Sequence, residues 1–127
     1  MEKVNLHQAF DALDAFWSQT TLGEANGTLL KVAKGTGRTN WHRHDDQDEV
    51  FVVYHGTLLV HTRTKTIHLM EGDLLVVPCG TEHATEAPDE AHFLILGRSV
   101  TSTPDGGKPA WSATESPPPP LREDTAK

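Results

Sequence analysis

The sequence is poor in the residues that build several familiar kinds of protein. One cysteine, Cys79, is present in 127 residues. An intramolecular disulfide is therefore excluded, and so are thiolate-rich zinc patterns, which need several cysteines at short spacing. Aromatic residues make up only 6% of the chain, so a core must be aliphatic, built on Leu and Val. Basic residues are in the minority, 11 Lys and Arg against 18 Asp and Glu, for a formal net charge of −7. Such a chain repels a phosphate backbone or an anionic lipid surface overall, which predicts no nucleic-acid and no membrane partner. No apolar run approaches the roughly 20 residues needed to span a bilayer. The opening residues, MEKVNLHQAF, lack the apolar stretch of a secretory signal. The expected address is the cytoplasm.

What is present is concentrated in the middle. The length suits one domain. Within residues 5–17, Leu6, Phe10, Leu13 and Trp17 recur at roughly helical spacing behind Asn5, a plausible N-cap. This predicts a short amphipathic helix whose apolar stripe packs on the rest of the fold or on a second subunit. From about residue 27 the texture changes to short runs such as TLLKVAK, EVFVVY, TLLVHT, TIHL, DLLVVP and HFLILG, punctuated by Gly, Asp and Pro. Many short strands at regular spacing indicate an all-β sandwich or barrel. From Arg98 onward apolar density collapses, and four consecutive prolines favour an extended surface segment. The expected organisation is an N-terminal helix and lead-in over 1–22, a β-barrel over 23–100, and an irregular, flexible Pro-rich tail over 101–127.

The chemistry is concentrated in two segments. In WHRHDDQDEVFVVYHG, residues 41–56, His42 and His44 are two apart, so on an extended strand both rings point to one face. Glu49 opens the next apolar run after the loop of Asp45, Asp46, Gln47 and Asp48. A hairpin there would fold Glu49 back toward the two imidazoles. Adjacent strand residues face opposite sides, so only one of Asp48 and Glu49 can point inward. In GDLLVVPCGTEH, residues 72–83, His83 follows a buried-looking strand and a Pro–Gly turn that can return it to a barrel mouth.

Together the two segments resemble the paired motifs of the cupin superfamily. Gly37 is followed by His42, His44, Glu49 and Gly56, and Gly72 by Pro78, Gly80 and His83. The resemblance covers residues 35–97. More closely, the chain resembles the small single-domain cupins labelled mannose-6-phosphate-isomerase-like, a label of similarity and not of reaction. Two positions depart from the motif: four residues separate Gly37 from His42 where five are usual, and Ala87 stands where Asn is common. The resemblance implies a double-stranded β-helix, the two-sheet jelly-roll barrel. Its six-residue gap before Gly56 favours Glu49 over Asp48, leaving Asp45, Asp46 and Asp48 as loop-solvating charges, and it implies His42, His44, Glu49 and His83 as ligands of one divalent transition metal, with one or two positions left for water or substrate. This mixed nitrogen–oxygen set suits Fe, Mn, Ni, Co, Cu or Zn alike. The bland alternative is a metal-free pocket in which the four are hydrogen-bonded polar groups.

Among the remaining residues, Phe51 and Val53 share parity with Glu49 and should form an apolar wall, while Tyr54 and Trp41 should point away from the site. Trp17 is expected to close the helix onto the same surface as Trp41. His61, on a neighbouring strand, and Cys79, in the second-motif turn, are read as structural. No catalytic general base and no organic cofactor site is identifiable. Three functions follow: a metal enzyme acting on a small oxygen-bearing substrate by dioxygenase, lyase or decarboxylase, or isomerase chemistry; a non-catalytic module binding a small ligand or metal; and a scaffold for partners. A homodimer is the default assembly.

Overall fold

Residues with β-branched or long aliphatic side chains stiffen short extended runs, and turn residues separate them. In the computed structural model these runs form an antiparallel double-stranded β-helix preceded by one short helix. The structure describes residues 1–99; the tail expected over 101–127 lies outside the described residues. The elements are α1 (Leu6–Asp11), β1 (Thr20–Ala25), β2 (Thr28–Arg38), β3 (Glu49–His55), β4 (Leu58–Thr62), β5 (Thr66–Leu69), β6 (Leu74–Val77) and β7 (His83–Gly97).

The long strand β7 organises the barrel. It pairs with β2 through both halves, with β3 through its second half and with β4 through its first half. The outer strands follow: β1 on β2, β6 on β3 and β5 on β4. A register shift between Gly35 and Gly37 lets β2 bend with β7 from one sheet into the other. The inner faces bury Ala33, Phe51, Val53, Leu58, Val60, Leu69, Phe93 and Ile95 in one aliphatic-rich cluster. Parity therefore holds as expected for Phe51 and Val53. Gly56 makes the turn from β3 to β4 at φ 81°, and a Cβ there would come 2.8 Å from the Glu90 carbonyl oxygen.

Two readings of the sequence need correction. The helix stops at Asp11, and does not run on to Trp17. Asn5 does cap it, its side-chain oxygen accepting from the Gln8 N–H at 2.9 Å. Trp17 sits at φ 65°, outside helical space. Its N–H donates to the Lys34 carbonyl at 2.7 Å, and its indole N–H to the Thr36 carbonyl at 3.0 Å. The ring lies over Gly35, where a Cβ would approach it to 2.6 Å, and packs on Phe93 at 5.9 Å. Trp17 thus covers the inner cluster and not the surface near Trp41, because β2 offers it a flat glycine and two carbonyls. Phe10 and Leu13 pack separately on Val32 and Leu94, on the outer face of β2 and β7, and Phe10 stacks on Tyr54 at 4.8 Å.

The second correction concerns DLLVVP. This run looks wholly buried, but among the described residues β6 is a sheet margin, bonded to β3 alone. Val77 is buried while Leu74 and Val76 are 61% and 48% exposed.

Candidate metal centre

His42, His44, Glu49 and His83 come from different segments and meet in one buried place. The segment carrying His42 does not form a hairpin with β3. It lies against the start of β7: the His42 N–H donates to the His83 carbonyl, and the His83 N–H to the His42 carbonyl, each at 2.9 Å. Glu49 arrives separately as the first residue of β3, opposite Val77. One ligand atom from each of the four lies within 4.8 Å of all the others. The side chains are 3% exposed or less.

The histidines are oriented by their backbone surroundings. Nδ1 of His42 lies 2.7 Å from the Asn40 carbonyl oxygen, and Nδ1 of His83 lies 2.8 Å from that of Thr81. A carbonyl can only accept, so each Nδ1 carries a proton, and each ring turns its Nε2 toward the cluster. Glu49 Oε1 lies 3.3 Å from His83 Nε2 and 3.5 Å from His44 Nε2. Lone pairs of a carboxylate and an imidazole repel each other unless a cation, a proton or a metal ion, lies between them. At metal–ligand bonds of about 2.1 Å, donors at right angles lie about 3.0 Å apart and opposite donors about 4.2 Å apart. The cluster is of that size, so the residues present fit a single divalent ion. A backbone carbonyl holding Nδ1–H is also the usual support of a metal-bound histidine.

The two loops that deliver these donors are laced together. The Gly80 N–H donates to the His44 carbonyl at 2.7 Å, and the Cys79 N–H donates to Asp48 Oδ1 at 2.8 Å. Asp48 therefore faces away from the donor cluster, as parity requires, but clamps the second-motif turn. That role exceeds the solvating one read from the sequence, and only the pairing of distant loops reveals it. Phe51 meets His83 edge to face at 6.5 Å, so the wall beside the donors is apolar. Trp41 is buried on the far side of its strand beneath the Arg63 guanidinium, 4.1 Å from the ring centre.

His61 does not join the cluster. It is buried on the opposite face of β4, with Nδ1 2.8 Å from Thr66 Oγ1 and Nε2 2.8 Å from Glu86 Oε1. Glu86 also meets Arg38 at 3.3 Å. Cys79 is exposed. A surface cleft of about 500 Å³ is lined by Asp45, Asp48, Val50, Cys79, Leu96 and Arg98 among others, and by none of the four donors. Val50 and Leu96 are neighbours on the face opposite Glu49 and Phe51. Convergence of donor atoms is the better guide to chemistry here than cavity volume.

The geometry agrees with known proteins. The family model described as Cupin domain matches residues 28–97. The uncharacterized protein YdbB of Bacillus subtilis is 38% identical over 68 residues, 53% of this chain and 60% of that one, so the match spans less than two thirds of that relative's length. A crystal structure of a cupin-2 domain-containing protein from Shewanella frigidimarina superposes with a TM-score of 0.72 at 35% identity, covering 73% of this chain and 91% of the other. Protein NMB1881 from Neisseria meningitidis superposes with a TM-score of 0.70 at 23% identity, covering 77% and 100%, which speaks to the fold alone. With the family model spanning more than half of the chain and the donor cluster in place, the protein belongs to the cupin-domain family.

Proposed function

We propose that the protein is a metal-dependent enzyme acting on a small oxygen-bearing organic substrate by dioxygenase, lyase or decarboxylase, or isomerase chemistry. The supporting observation is the buried convergence of three imidazoles and one carboxylate within 4.8 Å. His42, His44, Glu49 and His83 would hold one divalent transition metal per chain. A bound ion supplies Lewis acidity and, when octahedral, two coordination positions beyond these four donors. The chain itself orients His42 and His83 through the Asn40 and Thr81 carbonyls, holds the two motif loops together through Gly80 and Asp48, and sets Phe51 against His83. The finer likeness to the mannose-6-phosphate-isomerase-like small cupins rests on motif spacing and names no substrate.

The test is elemental analysis of protein purified without added metal, followed by dioxygen-uptake assays with small keto acids, diketones and thiols. Iron with substrate-dependent oxygen consumption supports the dioxygenase branch. Tightly held zinc with no turnover of any offered substrate would replace the enzymatic reading with a binding module.

Two further parts of the proposal concern setting. A cytoplasmic setting is part of the proposal; among the described residues no helix is long and apolar enough to cross a membrane. An isologous homodimer is proposed through the outer face of β6 and β3. There the exposed Leu74 and Val76 lie beside the half-buried Val52 and Val50, and an apolar sheet margin favours a covering partner.

A further inference from the structure

A second group of donors gathers at the far end of β3, outside the barrel. Strict alternation along β3 would send His55 inward with Phe51 and Val53. The pairing of β3 with β7 shifts register between Val53 and His55, and a bulge of this kind re-aims the side chain beyond it. The His55 side chain is accordingly 62% exposed. Its partner across the ladder is His92, which faces outward because the adjacent Phe93 belongs to the inner cluster. The two rings come to lie 5.2 Å apart between centroids. Each has a carboxylate beside it: His55 Nδ1 lies 3.2 Å from Glu71 Oε2, and His92 Nε2 lies 2.7 Å from Glu90 Oε2.

The spacing suits two imidazoles on one ion. Rings bound through nitrogen at about 2.1 Å have centroids about 4.5 Å apart at a right angle and about 5.2 Å apart at a tetrahedral angle. The surroundings support the donors. Glu71 Oε2 accepts from the Gly56 N–H at 3.1 Å, and His92 stacks on Phe10 at 5.4 Å with 14° between the planes. Contacts of this kind hold ligands in place. Among the described residues only the buried four have donors already converged within 4.8 Å. The outer carboxylates are 60% and 48% exposed and must turn to close on an ion, so the outer affinity is the weaker of the two. β3 opens at Glu49 and closes at His55, and roughly 20 Å of strand separates the two places.

We infer that His55 and His92, with Glu90 and Glu71 as carboxylate donors, form a second, outer site for a divalent cation that favours imidazole, namely Zn(II), Cu(II) or Ni(II). The ion would tie the end of β3 and the middle of β7 to the β5–β6 turn that carries Glu71, beside the helix whose Phe10 stacks on His92. The site fills at micromolar free metal and empties on purification without added metal. It stands independently of the buried centre.

The test is equilibrium dialysis of full-length protein against about 20 µM free zinc, with bound zinc counted per chain. Wild type is expected to hold about two ions. The His55→Gln, His92→Gln variant should hold about one, and so should His42→Ala, His44→Ala, which lacks the buried site. Retention of the second ion by His55→Gln, His92→Gln overturns the inference, because other groups then hold it. So does a wild type whose zinc is all lost in His42→Ala, His44→Ala, the outcome expected of two plain His–Glu ion pairs. A zinc titration of wild type followed by imidazole NMR needs no variant: the His55 and His92 resonances should shift together, and their indifference to zinc overturns the inference equally. Failure of the buried centre alone gives a different pattern. Wild type then holds about one ion, kept in His42→Ala, His44→Ala and lost in His55→Gln, His92→Gln.

Discussion

Replacing Glu49 by Gln should reverse its effect on stability according to whether metal is present. Glu49 is 2% exposed and faces two imidazole nitrogens at 3.3 and 3.5 Å. With metal bound, the carboxylate is a ligand and supplies the charge that the ion needs. A ligand at 100 to 1,000 times its Kd stabilises the native state by about 2.7 to 4.1 kcal/mol. In a domain of this size each kcal/mol moves the melting midpoint by about 4–8 °C. Chelation should therefore lower the wild-type midpoint by roughly 10–30 °C. A 100-fold loss of affinity in Glu49→Gln removes about 2.7 kcal/mol of that stabilisation.

Without metal the balance changes sign. Glu49 is then a buried carboxylate 3.3 Å from His83 Nε2 and 3.5 Å from His44 Nε2, and no metal offsets the cost of burying its charge. A neutral amide can donate N–H to the same nitrogens. Glu49→Gln should be as stable as wild type in chelator, or more stable by about 1–3 kcal/mol. The assay is thermal unfolding followed by far-ultraviolet circular dichroism, for both proteins, in saturating zinc and in chelator. A variant less stable than wild type by the same margin in both conditions would refute the reasoning, as would a wild type indifferent to the chelator.

Three other perturbations probe the frame around the centre. Gly56→Ala places a Cβ 2.8 Å from a backbone carbonyl at φ 81°, so urea unfolding should show a loss of more than about 1 kcal/mol, whereas wild-type-like stability would mean the turn can relax. His61→Ala strands buried Thr66 and removes one partner of Glu86, which keeps Arg38; a destabilisation of about 1–3 kcal/mol with full metal content is expected, and loss of metal would place His61 in the site. Val76→Lys on the exposed face of β6 should shift sedimentation toward monomer at micromolar concentration while leaving metal content intact, and an unchanged dimer would move the interface elsewhere.

Much of the centre was legible because its logic is local. Side-chain alternation lets only one of Asp48 and Glu49 face inward, and the motif gap to Gly56 chooses Glu49; alternation also sets His42 and His44 on one side and aligns Phe51 and Val53 with Glu49. What escaped was set by partners distant in sequence. The periodic stripe ending at Trp17 obeys helical spacing, yet the indole finds Gly35 and two carbonyls of β2, and the helix ends at Asp11. DLLVVP reads as a core strand, but a strand at a sheet margin buries only one of its faces. Asp48 became a clamp only once the turn at Cys79 was seen beside it. Lys31 stands at an inward position of TLLKVAK, two residues before Ala33. Parity could have marked it, but a lysine among aliphatics is easily taken for the wet face of a strand.

The central claim is that four side chains grip one divalent ion inside this barrel. The most direct measurement is elemental analysis of wild type and of the His42→Ala, His44→Ala double variant, purified alike and shown by circular dichroism to be folded. Wild type should carry about one transition-metal ion per chain, and the double variant essentially none. Equal metal in the two proteins would contradict the assignment.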